Sequence, residues 1–359
     1  MRKKIYGTYQ GALFVPNAKV YLGVKEGGEE FAQISFVSIG QMHANFDEIR
    51  EMTDDTAKMI LKAVNTPMEI DMQLCSEGLK IHVDVMEDIT VDCVMKKISE
   101  EAHYKEGYFT VPEENIAVLK ENSDYAEDAL EVNYEYEFEN PDVLKALEER
   151  GFERAKDKSF ASIWKLYTRL CELYTQDGAN YKHAAEKGTI AQMEHAEKQE
   201  NYTNCRGISI IFAGVLRANG IKAFYEGMFS TDPEDNECHI VDEVFLEEYQ
   251  KFVLFDPSMC CVYKLEGKYL NSIELKQALI DGRAEEIEME YCNDKKKKSG
   301  GTATLAYYSK NMGHFERCIK NGEKDDTTKD NALILSAVNA TDVYKERGRI
   351  TTDVEKYFR

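Results

Sequence analysis

Cys205, His239 and Asp256 are the residues of this sequence whose types and order could do chemistry together. A thiol, an imidazole and a carboxylate make an acyl-transfer set when the acid orients the histidine and the histidine takes the thiol proton. The thiolate would attack a carbonyl carbon and form a thioester, which water or an amine then resolves. Each residue alone says little. A single cysteine ahead of an apolar helix is most often packed structure, and a single histidine at a strand start is most often inert. What gives the three meaning is where the surrounding sequence places them.

Cys205 stands in Asn204-Cys205-Arg206-Gly207, directly before apolar residues at 208, 211, 212, 215 and 216. That spacing is helical, and Gly220 suits the left-handed position after the helix end. Cys205 therefore opens a helix, where the macrodipole and free N–H groups favour a thiolate. Three strands follow, over 223–229, 239–246 and 251–258. The polar link Glu247-Glu248-Tyr249-Gln250 makes the last two an antiparallel hairpin. A turn centred between 247 and 248 sets His239 directly opposite Asp256, and opposed residues share a face.

The rest of the chain supplies scaffold. Asn140-Pro141-Asp142 is a helix start with a cap residue and a proline in the first turn, and Gly151 suits its end. Residues 159–174 read as a helix whose aromatic stripe (Phe160, Trp164, Tyr167, Tyr174) is core, and residues 182–199 as a polar helix. In the first third, 19–23, 31–39, 68–74 and 79–86 read as strands and 46–64 as a helix ended by Pro67. A further strand is expected over 130–138. His43, His82 and His103 lack metal-ligand spacing and are ordinary histidines. The tract Lys295–Gly301 reads as a solvated loop.

Composition narrows the function classes. A chain of 359 residues suggests two domains. The net charge of −21 excludes a nucleic-acid backbone tracker. No apolar run reaches the ~20 residues that span a bilayer. The basic start Met1-Arg2-Lys3-Lys4 is not followed by the apolar core of a secretion signal, so a cytoplasmic protein is expected. Nine cysteines with no C-x-x-C pair are expected to be reduced. A zinc centre from Cys238, His239, Cys260 and Cys261 does not fit, because adjacent ligands depart from the usual spacing. Without a G-x-G-x-x-G or P-loop pattern, neither metal nor cofactor is expected.

The ordered motifs resemble the transglutaminase-like superfamily, with its papain-like Cys-His-Asp fold, and its bacterial branch of unassigned substrate in particular. The residues that carry the likeness are Cys205, then Leu216-Arg217-Ala218-Asn219-Gly220-Ile221, His239-Ile240-Val241-Asp242-Glu243-Val244 and Phe252-Val253-Leu254-Phe255-Asp256-Pro257. Residues 270–282 and 307–312 extend it, so that it covers roughly 155–320. Thr203 stands where many members have glycine, and Val241 where many have an aromatic residue.

The resemblance implies an α+β fold in which a catalytic helix packs on an antiparallel sheet. A separate mixed α/β N-terminal domain (1–140) precedes the catalytic domain (141–320), and a C-terminal extension (321–359) follows it. It implies catalytic Cys205, His239 and Asp256, with Gln199 or Tyr202 as side-chain oxyanion donor beside the Cys205 N–H. Proteolysis, deamidation and crosslinking share these steps. Hydrolysis of an amide in a peptide or protein is the favoured reading, with no nucleic-acid or membrane partner. The alternative is a catalytically idle fold serving as a peptide-binding or assembly module. Substrate and oligomeric state stay open at this level.

Overall fold

Leu79, Ile81 and Val83 are fully buried while Lys80 between them is exposed, the period-two pattern of a half-buried strand. Repeated along the chain, this pattern builds the first of two units. The computed structural model describes residues 2–13, 15–36, 42–46, 48–63, 66–86, 89–104, 111–176, 187–235, 237–292 and 302–359. Contacts divide the chain into Met1–Pro112 with Thr302–Tyr307, and Glu113–Gly301 with Tyr308–Arg359.

The first unit runs β1 (Gly7–Leu13), β2 (Val15–Val24), β3 (Glu30–Phe36), β4 (Met42–Asn45), β5 (Glu48–Met52), β6 (Thr56–Ala63), β7 (Thr66–Cys75), β8 (Gly78–Met86) and β9 (Ile89–Ser99). They form one antiparallel sheet in the order β4-β3-β2-β1-β9-β8-β7-β6-β5. Tyr9, Val20, Ile34, Ile70 and Ile81 centre its core.

This corrects the expected mixed α/β character of the N-terminal region. The stretch read as a helix over 46–64 is the hairpin β5–β6, with Asp47 and Val64 outside the described residues. Its reversal lies at Thr53-Asp54-Asp55, where the Thr53 hydroxyl accepts the N–H groups of Asp55 at 3.3 Å and Thr56 at 2.9 Å. Such a side-chain turn competes with helix. Ala57 and Met59 then alternate into the core.

The second unit begins with α1 (Glu113–Glu121), β10 (Glu135–Tyr136), α2 (Pro141–Glu149), α3 (Phe160–Leu173), β11 (Thr175–Gln176), α4 (Thr189–Glu197), β12 (Tyr202–Thr203) and α5 (Cys205–Ala218). β13 (Ala223–Phe229), β14 (Cys238–Leu246), β15 (Lys251–Asp256), β16 (Cys261–Leu265), β17 (Lys268–Tyr269), α6 (Ser272–Ile280) and β18 (Glu288–Tyr291) follow, and α7 (Thr302–Asn311) is divided, with Thr302–Tyr307 in the first unit and the rest in the second. The chain ends with β19 (His314–Cys318), β20 (Lys320–Asn321), β21 (Ala332–Leu335), β22 (Arg349–Thr351) and α8 (Val354–Tyr357). The main sheet has the order β17-β16-β15-β14-β13-β19-β21-β22, with β18 also on β16. α5 lies against β13 and β14. Ile208, Ile211 and Val215 of the helix meet Ala223 and Val244 of the sheet in the main core.

Several placements differ from the sequence reading. The strand expected over 130–138 pairs only at Glu135–Tyr136, with β20. Its alternation has another cause: Tyr134 donates to the carbonyls of Lys356 and Tyr357 at 3.2 and 3.1 Å, and Tyr136 stacks on Phe138. Segment 113–139 belongs to the second unit, where Lys276 of α6 donates to Asn122 O at 2.6 Å. Residues 321–359 lie in the same unit and bring β21 onto β19. The polar helix expected over 182–199 is α4, and its residues 182–186 lie outside the described ones, as do 37–39 of an expected strand and the whole Lys295–Gly301 tract. No helix of the described residues is long and apolar enough to cross a membrane.

Candidate active site

Cys205 is the first residue of α5, and Asn204 caps it by accepting the Gly207 N–H at 2.8 Å. A Cβ on Gly207 would collide with Thr203 Oγ1 and approach Gln192 Oε1 to 3.0 Å, so this turn needs glycine. Farther along, a Cβ on Gly214 would collide with Thr189, which marks where α4 crosses closely. The Ser209 hydroxyl donates to the Ile240 carbonyl at 3.2 Å. That bond ties the first turns of α5 to β14 one residue from His239.

β14 and β15 pair Asp242 with Phe255 through to Leu246 with Lys251. The turn thus uses all four residues 247–250 equally, and its centre lies between 248 and 249. The expected register is corrected by this: one step past the last pair, Asp256 falls across from Val241, not His239. A register error of two residues preserves the face. His239 and Asp256 become diagonal neighbours on one side of the sheet, close enough for long side chains to meet. His239 Nε2 lies 2.9 Å from Asp256 Oδ2.

Asp256 is fully buried, and such a charge survives only when its lone pairs are satisfied. Oδ1 accepts the N–H groups of Ser258 at 2.8 Å and Met259 at 3.1 Å. Oδ2 receives His239 and the hydroxyl of Tyr308. Tyr308 in turn accepts the Tyr263 hydroxyl at 3.0 Å. The Tyr167 hydroxyl holds the Asp256 backbone carbonyl at 2.6 Å and that of Cys261 at 3.0 Å. Burial pushes the Asp256 carboxyl up, but the charge and hydrogen bond of His239, with Tyr308 and the Met259 N–H, leave it below the ordinary range.

With Nε2 turned to Asp256, Nδ1 is the nitrogen left for Cys205, and the two side chains interact by hydrogen bond and charge. Burial pulls the His239 pKa down, yet Asp256 and then Cys205 raise it to about 10. Burial pushes the Cys205 thiol up. The hydrogen bond and charge of His239 and a backbone hydrogen bond from Ile240 overcome this, so the net shift is down. Both directions favour a thiolate–imidazolium pair. Cys238 packs in the same cluster with the opposite outcome: burial and the neighbouring Cys205 raise it to about 11. Of the three residues only Cys205 is partly exposed, with His239 at 4% and Asp256 at 0%.

The structure therefore brings together the three residues singled out by sequence. Gln199 is half-buried just past α4, and Tyr202 is 40% exposed on β12. Gln192, 3% exposed, also packs at the first turn of α5. Sequence reading missed it, and also missed Tyr308 and Tyr263. No spacing links these tyrosines to Asp256, because they arrive from α7 and β16. Cys238 and His239 do not converge with Cys260 and Cys261 on a metal-sized site. A different trio, Cys171, Cys260 and Cys292, does.

No family model and no curated protein matches this chain. A solved structure from Cytophaga hutchinsonii, named as a candidate cysteine protease, is similar over 59% of this chain and 70% of that one, at 13% identity and a TM-score of 0.25. A likeness of that size carries no argument about chemistry.

Proposed function

We propose that this chain is a cysteine-dependent acyl-transfer enzyme of transglutaminase-like type that hydrolyses an amide bond in a peptide or protein. The observation that carries the reading is the buried chain Tyr263–Tyr308–Asp256–His239 ending on a thiol at a helix N-terminus, with that thiol shifted down and the imidazole up. The Cys205 thiolate attacks the carbonyl carbon, and the N–H groups at the start of α5 face the developing oxyanion. The side-chain donor is proposed among Gln199, Tyr202 and Gln192. The His239 imidazolium gives its proton to the leaving amine as the C–N bond breaks, leaving a thioester and a neutral imidazole. That imidazole takes a proton from water, and the hydroxide displaces the thiolate to release the acid.

An activated ester tests the reading without knowledge of the natural substrate. With p-nitrophenyl acetate, one acetyl group should appear on Cys205 and turn over. Neither event should occur at that position in Cys205→Ala, and His239→Ala should lose the turnover. Equal ester hydrolysis by wild type and Cys205→Ala would contradict an enzyme acting through this thiol and favour an idle peptide-binding module.

A further inference from the structure

Cys171, Cys260 and Cys292 are far apart in sequence and come from three places in the second unit. Cys171 lies near the end of α3, Cys260 in the turn after β15, and Cys292 directly after β18. Their sulfur atoms all lie within 4.8 Å of one another, and no other such group of His, Cys, Asp or Glu occurs among the described residues. Cys171 and Cys260 are 4% and 1% exposed, whereas Cys292 is partly open and gives the group a mouth.

Three converging thiols admit two uses. A cation with metal–sulfur bonds of about 2.3 Å and three ligands in a plane holds its sulfurs about 4 Å apart. A disulfide brings one pair to about 2.0 Å and leaves the third thiol over. The three sulfurs are free thiols within 4.8 Å of one another, near enough to close on such a cation. The donor set is all sulfur, which selects soft cations such as Cu(I) over hard ones. Structural zinc almost always takes four ligands, and three converge among the described residues.

We propose that Cys171, Cys260 and Cys292 form a three-coordinate, all-sulfur site for Cu(I). Binding exchanges thiol protons for the cation: the protons leave to solvent and no electron is transferred. The site adjoins the turn that holds Asp256. Cys260 and Cys171 both lie against the Pro257 carbonyl, at 3.5 and 3.9 Å, and the Cys292 N–H donates to the Cys260 carbonyl at 3.0 Å. The nucleophile is not a ligand, so the proposal stands or falls apart from the catalytic reading.

The test is an anaerobic titration of the reduced full chain against Cu(I) held by bicinchoninate. Wild type and Cys205→Ala should each withdraw one equivalent. Cys292→Ala, at the open corner, and Cys171→Ser should bind at least tenfold more weakly, with far-ultraviolet circular dichroism showing Cys292→Ala folded. X-ray absorption on the loaded chain should read three sulfur neighbours. No withdrawal, equal withdrawal by the variants, nitrogen or oxygen in the shell, or displacement of Cu(I) by equimolar Zn(II) would each overturn the site.

Discussion

Tyr308 reaches the thiol only through Asp256 and His239. Its hydroxyl donates to Asp256 Oδ2 and accepts from Tyr263, so Tyr308→Phe removes one donor from the carboxylate and leaves the Tyr263 hydroxyl without that acceptor. A buried hydroxyl stripped of its partner costs about 1–3 kcal/mol, to be read as a lower denaturant midpoint. A merely structural role would stop there. A positioning role also raises the Asp256 pKa and lowers that of His239, which narrows the pH range of the ion pair and slows Cys205 alkylation in the pH profile. His239→Ala acts more directly. It leaves burial opposed only by the Ile240 backbone contact, so the thiol moves up and alkylation at pH 7 should fall about tenfold for each unit gained. At this scale the sequence exposed the three residues the structure brings together, because each sits where its local element needs it. Tyr308, Tyr263 and Gln192 were hidden, because only tertiary packing brings them in.

At the scale of elements, the start of α5 carries the site. The Asn204 cap should be worth about 1 kcal/mol. Asn204→Ala is therefore expected to lower stability by that amount, measured by urea unfolding, and to slow Cys205 alkylation by loosening the first turn. Gly207→Ala should do more, since its new Cβ meets Thr203 and Gln192. The hairpin shows what sequence can and cannot fix. Period two placed His239 and Asp256 on one face even though the centre of the turn was misjudged by one residue. Over 46–64 the apolar positions fit a helix and two strands alike. Thr53-Asp54-Asp55 decided the outcome through a local turn, which apolar spacing does not register.

For the whole molecule, pH is the revealing variable. Glu226 on β13 is fully buried, and neither of its oxygens has a hydrogen bond of normal geometry among the described residues. Burial raises it to about 7 against the pull of Ser272, Tyr357 and Arg317. A carboxyl raised on folding contributes stability that is complete below its unfolded value, near 4.5, and is lost as pH rises through 7. That is about 3 kcal/mol for a shift of this size. His239 acts in the same direction at higher pH, with its share complete below about 6.5 and lost as pH rises through about 10. Asp256, shifted down, loses its share only as pH falls through its folded value. The denaturant midpoint should therefore be higher at pH 5.5 than at pH 8.5, and Glu226→Gln should flatten that slope.

One thiol among the nine in the sequence is proposed as the nucleophile. Burial pushes Cys171, Cys238, Cys261 and Cys318 up, whereas Cys205 is shifted down. The most direct measurement is limited alkylation of the native chain with iodoacetamide from pH 5 to 9, with every cysteine mapped by mass spectrometry. Cys205 should react first, keep its rate well below pH 8 and lose that advantage in His239→Ala. A Cys205 that labels no faster than Cys75 or Cys238, with the same pH dependence in wild type and variant, would contradict it.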